Sequence, residues 1–149
     1  MSQQNTDRVR SLVPEDIDAV VDIDARITGR SRRVFYEKRL ETALETPNSF
    51  ITAACVDNGK LTGFAFARVQ NGEFGNDYKA AVLDVICVDP NEQHHGQGSQ
   101  MMESICAIAT KIGINELRTE IDWNDADMVR FFSAQDFNLA PYQALSKHL

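Results

Sequence analysis

The chain has 149 residues, a formal net charge of −7 at pH 7 and 43% hydrophobic residues, which suits one domain over residues 1–149 with a sizeable core. The acidic balance argues against a nucleic-acid binder, which needs a basic face. No apolar run is long enough for a membrane span, the polar N-terminus lacks the apolar stretch of a signal peptide, and the odd, scattered Cys55, Cys87 and Cys106 read as reduced, buried thiols of a cytoplasmic protein.

Residues 9–13 predict a short first strand. Pro14-Glu-Asp opens a helix, because proline suits the first turn and acids suit its positive end. Ile17, Val20, Val21 and Ile27 share one face of that helix, and Thr28-Gly29-Arg30-Ser31 ends it. A second helix places Tyr36, Leu40, Ala43 and Leu44 on one side and stops before Pro47. The pattern then turns to strands. Residues 49–56 and 61–69 flank Asp57-Asn58-Gly59-Lys60, a hairpin signal. A polar loop over 70–77 leads to Ala80-Ala-Val-Leu-Asp-Val-Ile-Cys-Val88, an apolar strand buried on both faces. A helix follows over 97–112, with Met101, Ile105, Ile108 and Ile112 in register and Gly113 as its stop. Residues 116–121 form another strand. Asn124 or Asp125 caps a fourth helix carrying Met128, Phe131 and Phe132, and residues 138–149 hold one more short strand. The order β-α-α-β-β-β-α-β-α-β describes an α/β fold, a mixed and mostly antiparallel sheet with about four helices on it.

Two stretches bear on function. Between Arg26 and Arg39 lie six cations, either a solvated helix face paired with nearby acids or a patch for an anionic ligand or partner. Asn91-Glu-Gln-His-His-Gly-Gln-Gly-Ser99 joins the apolar strand to the third helix. A helix start presents unpaired N–H groups and a positive dipole end, and glycines let an anion approach them. The stretch is not a nucleotide-binding P-loop, which ends in Gly-Lys-Ser/Thr, nor a dinucleotide fingerprint, which needs a third glycine and an early position in the chain. His94 and His95 are adjacent, without further ligands at a recurrent spacing, so no metal site is expected.

Gln93-x-x-Gly96-x-Gly98 after the strand ending Val88-Asp89-Pro90 resembles the acyl-CoA motif of the GNAT superfamily of N-acetyltransferases. Asn124-Asp-Ala-Asp-Met-Val-Arg-Phe-Phe-Ser-Ala-Gln-Asp-Phe137 resembles that family's second cofactor segment. With the order of elements, the resemblance covers residues 9–137. It implies acetyl-CoA as co-substrate and an amine as acceptor. Backbone amides over His94, His95, Gly96, Gln97, Gly98 and Ser99, with Gln93, would cradle the pyrophosphate. The strand around Ile86, Cys87 and Val88 would splay from its neighbour and pair with the pantetheine arm, and Asn124 and Phe131 would lie beside the far part of the cofactor. The sequence departs from the family at Phe132, where a tyrosine often serves as general acid, and at Asp136, where glycine is usual. Its tail after Phe137 is short, which invites strand sharing between two copies, since homodimers are common in the family.

Acyl transfer needs a neutral amine. A lysine-like amine has a pKa of about 10.4, so deprotonation at pH 7 costs roughly 4–5 kcal/mol, and a positioned carboxylate can take the proton. Asp84 is the only charge inside the apolar strand, two residues from Ile86 and on its face unless a bulge intervenes. Glu120 sits near the end of the next strand, at the spacing to the helix aromatics that family members with a base there show. Each can instead be structural: Asp84 bonded to backbone or arginine, Glu120 turned outward beside Arg118. With no hydroxyl at Phe132, Tyr142, Tyr36, Cys87 or water is left to protonate the leaving thiolate. By position alone Arg30, Arg32, Tyr36, Glu73 and Asp77 flank the acceptor. The rivals to an N-acetyltransferase are a non-catalytic acyl-CoA-binding module on the same fold and an unrelated nucleotide-binding α/β protein.

Overall fold

A five-stranded sheet, in the order β1-β2-β3-β4-β5, forms the centre of the computed structural model, which describes residues 8–71, 78–93 and 95–149. Strand β1 (Val9–Arg10) leads through a 3-10 turn (Pro14–Asp16) into helices α1 (Ile17–Thr28) and α2 (Arg33–Glu45). Strands β2 (Phe50–Asp57), β3 (Lys60–Gln70) and β4 (Ala80–Val88) follow, then helix α3 (Gln97–Lys111), strand β5 (Glu116–Thr119) and helix α4 (Ala126–Ala134). Neighbouring strands are antiparallel except β4 and β5, because α3 carries the chain back across the sheet between them.

Local chemistry explains most boundaries. Asn58 and Gly59 have φ of 51° and 76°, the two left-handed residues of a two-residue hairpin. Asp16 accepts the Val13 N–H at 2.8 Å and two bonds from Arg10 at 2.8 and 2.9 Å, which tightens the Pro14 turn into 3-10 geometry before α1 begins. Strand β1 is shorter than expected because the Leu12 N–H leaves the ladder for the Thr52 hydroxyl at 3.0 Å. Asp125, rather than Asn124, caps α4 by accepting the Met128 N–H at 3.1 Å.

The sheet is packed on both faces, as the apolar β4 requires. Val20, Val21, Ile23, Tyr36, Leu40, Phe64 and Phe66 form one layer under α1 and α2. Ile51, Ala65, Leu83, Met101, Met102, Ile105 and Phe132 form the other under α3 and α4. Three expectations fail at the surface. Ile27 and Leu44 point partly to solvent, since the buried stripes of α1 and α2 run through Ile23 and Leu40 instead. Cys106 is exposed rather than buried, because it lies on the outer side of α3. The final strand is absent: residues 138–149 form no helix or strand. Pro141 has no N–H for a ladder, and Leu139, Leu145 and Leu149 are exposed among the described residues.

Candidate active site

Strand β4 gives the site its shape. Its ladder with β5 runs only from Ala80↔Glu116 to Leu83↔Thr119, while β4 continues to Val88. From Asp84 onward the β5 side of the strand is open. The break coincides with an irregularity in the ladder on the other side, where Phe66 pairs with Val85 but Ala67 with Leu83. Asp84 is therefore the extra residue of a β-bulge. Val85 and Cys87 pack with the α1/α2 layer, and Ile86 and Val88 with the α3/α4 layer. The bulge resets the alternation, so Asp84 does not share a face with Ile86 as strict period two would have it.

Asp84 instead meets two arginines. Its Oδ2 accepts from Arg68 Nε at 2.6 Å and lies 3.5 Å from Arg39 Nη1. The bond from Asp84 is the main reason the Arg68 guanidinium is held above its usual pKa, and the charge of Glu120 acts in the same direction. Glu120 lies one residue beyond the end of β5 and is exposed. Asp84 thus pairs directly with Arg68, while Glu120 acts on the same guanidinium only through its charge. The arginine partner expected for a structural Asp84 is present, but its identity as Arg68 and Arg39 depends on strand register and helix placement.

At the far end of β4, the chain is tied down before it enters α3. Asp89 is fully buried and accepts from Arg26 at 2.6 Å and from the Asn91 N–H at 3.1 Å, while its own N–H donates to Thr62 at 2.7 Å. Gly96 then takes φ +78° and opens the helix. The first helical bond runs from the Gln100 N–H to Gly96 at 3.0 Å, which leaves the amides of Gln97, Gly98 and Ser99 as the free donors of a helix start. A Cβ on Gly98 would stand 3.0 Å from the Phe131 ring, so glycine lets α4 close over this turn. Gln135 Nε2 donates to the Ser99 hydroxyl at 2.9 Å and adds a second tie between the helices. Gly96→Ala has open space for its methyl but must hold a left-handed backbone. It is expected to lose about 1–2 kcal/mol of stability in denaturant unfolding; an unchanged midpoint would show that this junction does not need the left-handed residue.

The remaining predicted residues divide. Gln93 and His95 are exposed in the turn, and His94 lies outside the described residues. Gln97 is turned inward, 5% exposed, so only its backbone faces the junction. Asn124 is exposed at the start of α4, and its N–H is bonded to Asp122 at 3.0 Å. Phe131 is half-buried against Gly98. Phe132 is 4% exposed and packs edge-on to Phe131 and Phe137; its place is in the core, with no hydroxyl to offer. Of the residues expected to flank an acceptor, Arg30 is exposed, while Glu73 and Asp77 lie outside the described residues.

Tyr36 is corrected most clearly: it is 0% exposed and cannot flank an acceptor. Its hydroxyl donates to Asp24 at 2.9 Å. Arg32 binds the same carboxylate through Nε at 2.8 Å and Nη2 at 2.5 Å and covers the Tyr36 ring at 5.5 Å. Arg32 and Tyr36 are therefore the walls of a buried Asp24 site that the sequence reading missed, one more acid among several on α1. Burial pushes the Cys87 thiol up to about 12, with the charge of Asp24 adding to it. Tyr142 is 61% exposed, beside Arg118. Of the basic segment, Arg26, Arg32, Arg33 and Arg39 all pair with carboxylates, the solvated-face alternative. Among the described residues no cluster of His, Cys, Asp and Glu could hold a metal ion, and no helix is long and apolar enough to cross a membrane.

The fold is similar to that of several solved proteins. One is a transcriptional regulator from Bacillus halodurans C-125 (TM-score 0.79, 17% identity, covering 95% of this chain and 98% of that one). Another is an aminoglycoside N-acetyltransferase in complex with CoA (TM-score 0.81, 13% identity, 94% and 93%). A third is a ribosomal-protein-alanine N-acetyltransferase from Brucella melitensis biovar Abortus 2308 (TM-score 0.77, 15% identity, 95% and 99%). Among curated proteins, none matches by sequence. The model of the Acetyltransferase (GNAT) family matches residues 17–137, and with the open β4, the bulge and the glycine junction all inside that span, the chain belongs to this family.

Proposed function

We propose that the protein is an N-acetyltransferase that moves an acetyl group from acetyl-CoA to a primary amine, on a small molecule or a protein, by direct transfer in a ternary complex. The observation that supports this reading most is the open side of β4 from Asp84 to Val88, which leads into a glycine-opened helix start. The unpaired β4 backbone offers an extended amide-bearing arm the pairing that β5 would otherwise occupy, and the free amides of Gln97, Gly98 and Ser99 suit a pyrophosphate. The residues present fit the cofactor: Gly96 leaves open space where a side chain would stand.

The bound thioester supplies the activated acetyl group. A β4 N–H near the bulge stabilises charge developing on the acetyl oxygen, the larger contribution in such reactions. Glu120 takes the amine's proton, directly or through water. Asp84 holds Arg68 and Arg39 and so orders the mouth of the site. Phe132 gives no proton, and a thiolate whose parent thiol has a pKa of about 8.5 leaves without much help.

Thermal unfolding with acetyl-CoA, CoA, ATP and NAD, each alone, tests the reading. A ligand in 100-fold excess over its Kd adds about 2.7 kcal/mol to the folded state, so acetyl-CoA and CoA are expected to raise the midpoint while ATP and NAD leave it in place. A rise with ATP or NAD alone would sink the proposal. A rise with acetyl-CoA but no CoA release with any amine in a broad panel would favour the second reading, a non-catalytic acyl-CoA-binding module, for which the buried, hydroxyl-free Phe132 is the specific support.

A further inference from the structure

A shallow hollow of about 210 Å³ lies against α2, lined by Phe35, Lys38, Arg39 and Thr42. At that spacing the four form one stripe of the helix, beside the buried stripe of Tyr36, Leu40 and Ala43. Two ties set the hollow beside the open stretch of β4. Arg39 Nη1 lies 3.5 Å from Asp84 Oδ2, at the bulge where that stretch begins. The Phe35 ring stands 5.4 Å from the Arg39 guanidinium and 5.7 Å from that of Arg32. Arg32 is in turn locked on Asp24, whose charge reaches Cys87 further along the same strand. Helix α2 covers one face of the sheet and α3, with its glycine junction, the other. The open part of β4 therefore stands between the hollow and the junction proposed to hold the cofactor, where a second substrate must meet a thioester.

The hollow has positive charge left over. Asp84 is one carboxylate between two guanidiniums, and its close bond, at 2.6 Å, goes to Arg68. Arg39 is its weaker partner. The ion pairs of α2 engage Arg33 and Arg39; the exposed Lys38 is in none of them among the described residues. Setting Arg39, Arg68 and Lys38 against Asp84 and Glu120 leaves one cation uncompensated. A cationic group would be repelled there. An oxyanion would find the planar fork of Arg39 and the point charge of Lys38, and its hydrogen bonds would be charge-assisted. Phe35, 44% exposed, adds a flat apolar wall. The volume matches the share of roughly seven waters at about 30 Å³ each, which suits a small molecule's end group.

Resting on the acetyltransferase reading above, we infer that this hollow is an acceptor subsite for an amine that also carries an oxyanion. Arg39 and Lys38 hold its carboxylate or phosphate, its carbon chain lies against Phe35, and its amine reaches the open stretch of β4. Asp84 aims Arg39 at the hollow.

Two matched pairs of amines test the inference: γ-aminobutyrate against butylamine, and O-phosphoethanolamine against ethanolamine. Calorimetric titration of the full chain, with and without CoA, reads their binding without turnover, and CoA release from acetyl-CoA reads their KM. In at least one pair the oxyanion-bearing member is expected to bind at least about tenfold more tightly, the scale of one charge-assisted hydrogen bond. That advantage is expected to shrink at high salt. The pair that shows it decides between carboxylate and phosphate. Lys38→Ala and Arg39→Ala are each expected to remove most of the advantage, and Lys38→Arg to keep it. All three are expected to keep the acetyl-CoA-induced shift in unfolding midpoint, which also shows that they fold. Equal or undetectable binding of both members in both pairs overturns the inference, as does a preference that survives Lys38→Ala and Arg39→Ala unchanged. The two failures stay apart. A chain that acetyl-CoA does not shift sinks the acetyltransferase reading, whereas one that it shifts without any oxyanion preference sinks the subsite alone.

Discussion

Glu120→Gln is expected to lower kcat/KM by about 10²–10⁴-fold, the range in which a positioned general base contributes, while leaving the acetyl-CoA-induced shift in unfolding midpoint unchanged. The separation of the two readouts follows from the structure. Glu120 is exposed just past the end of β5, and the glycine junction proposed to hold the cofactor follows the far end of β4. The rate loss is expected to be largest near neutral pH and to shrink as pH approaches the amine's own pKa of about 10.4, where the acceptor arrives already neutral. Asp84→Asn separates the two carboxylates. It keeps the size of the side chain but weakens the charge-assisted contacts with Arg68 and Arg39, so it is expected to raise KM for the amine more than it lowers kcat. The measurement is steady-state kinetics from about pH 6 to 10, roughly the span between unperturbed His and Lys pKa values, with whichever amine releases CoA fastest. If Asp84→Asn abolishes turnover and Glu120→Gln spares it, the roles are reversed; if both keep wild-type kcat/KM at every pH, neither carboxylate is the base.

What the sequence showed of this site follows the range of the interactions. Strand β4 was legible to the residue because a nearly continuous apolar run between a polar loop and Pro90 has one reading. The hairpin at Asn58-Gly59 and the opening of α3 at Gly96 were legible because they depend on backbone conformations that few residues adopt. The bulge at Asp84 was not, because an extra residue in an apolar strand leaves no mark until the strand is paired with β3. Arg68 and Arg39 depended on that same register, so the partners of Asp84 could not be named. Tyr36 failed for a related reason. The helical pattern placed it on the buried side of α2, yet its position near the acceptor suggested an exposed role, and only packing against Phe64 and Phe66 decides between them. The missing last strand is a failure of another kind: a strand needs a partner, and among the described residues the tail makes no ladder with the sheet.

Asp24→Ala is expected to be the most destabilising single substitution considered, at about 3 kcal/mol. Asp24 is 1% exposed and accepts three bonds, two from Arg32 and one from the Tyr36 hydroxyl. Removing one partner of a buried ion pair costs about 3–5 kcal/mol; the lower end applies because Arg32, at 32% side-chain exposure, turns to water for part of its solvation. The Tyr36 hydroxyl has no such escape, since its ring is sealed between α1, α2 and β3. For a chain of this size, each kcal/mol moves the unfolding midpoint by roughly 2–4 °C, so a fall of roughly 6–12 °C is expected. The pH dependence gives an independent signature. The Arg32 guanidinium holds the Asp24 carboxyl below the usual carboxylate range, against the opposing effect of burial and with help from the Tyr36 hydroxyl. A carboxyl depressed in the folded state stabilises it fully above the unfolded pKa of about 3.9 and loses that contribution as pH falls through the lower, folded value. The wild-type chain is therefore expected to lose stability steeply below about pH 4, and Asp24→Ala to start lower and fall less steeply there. Parallel acid limbs in the two proteins would show that Asp24 is protonated alike in folded and unfolded chains and that the Arg32 pair does not set its charge. Tyr36→Phe keeps the ring and removes only the hydroxyl bond, at about 1 kcal/mol, so the acid limb should survive in that variant; this separates the charge of the cluster from its packing.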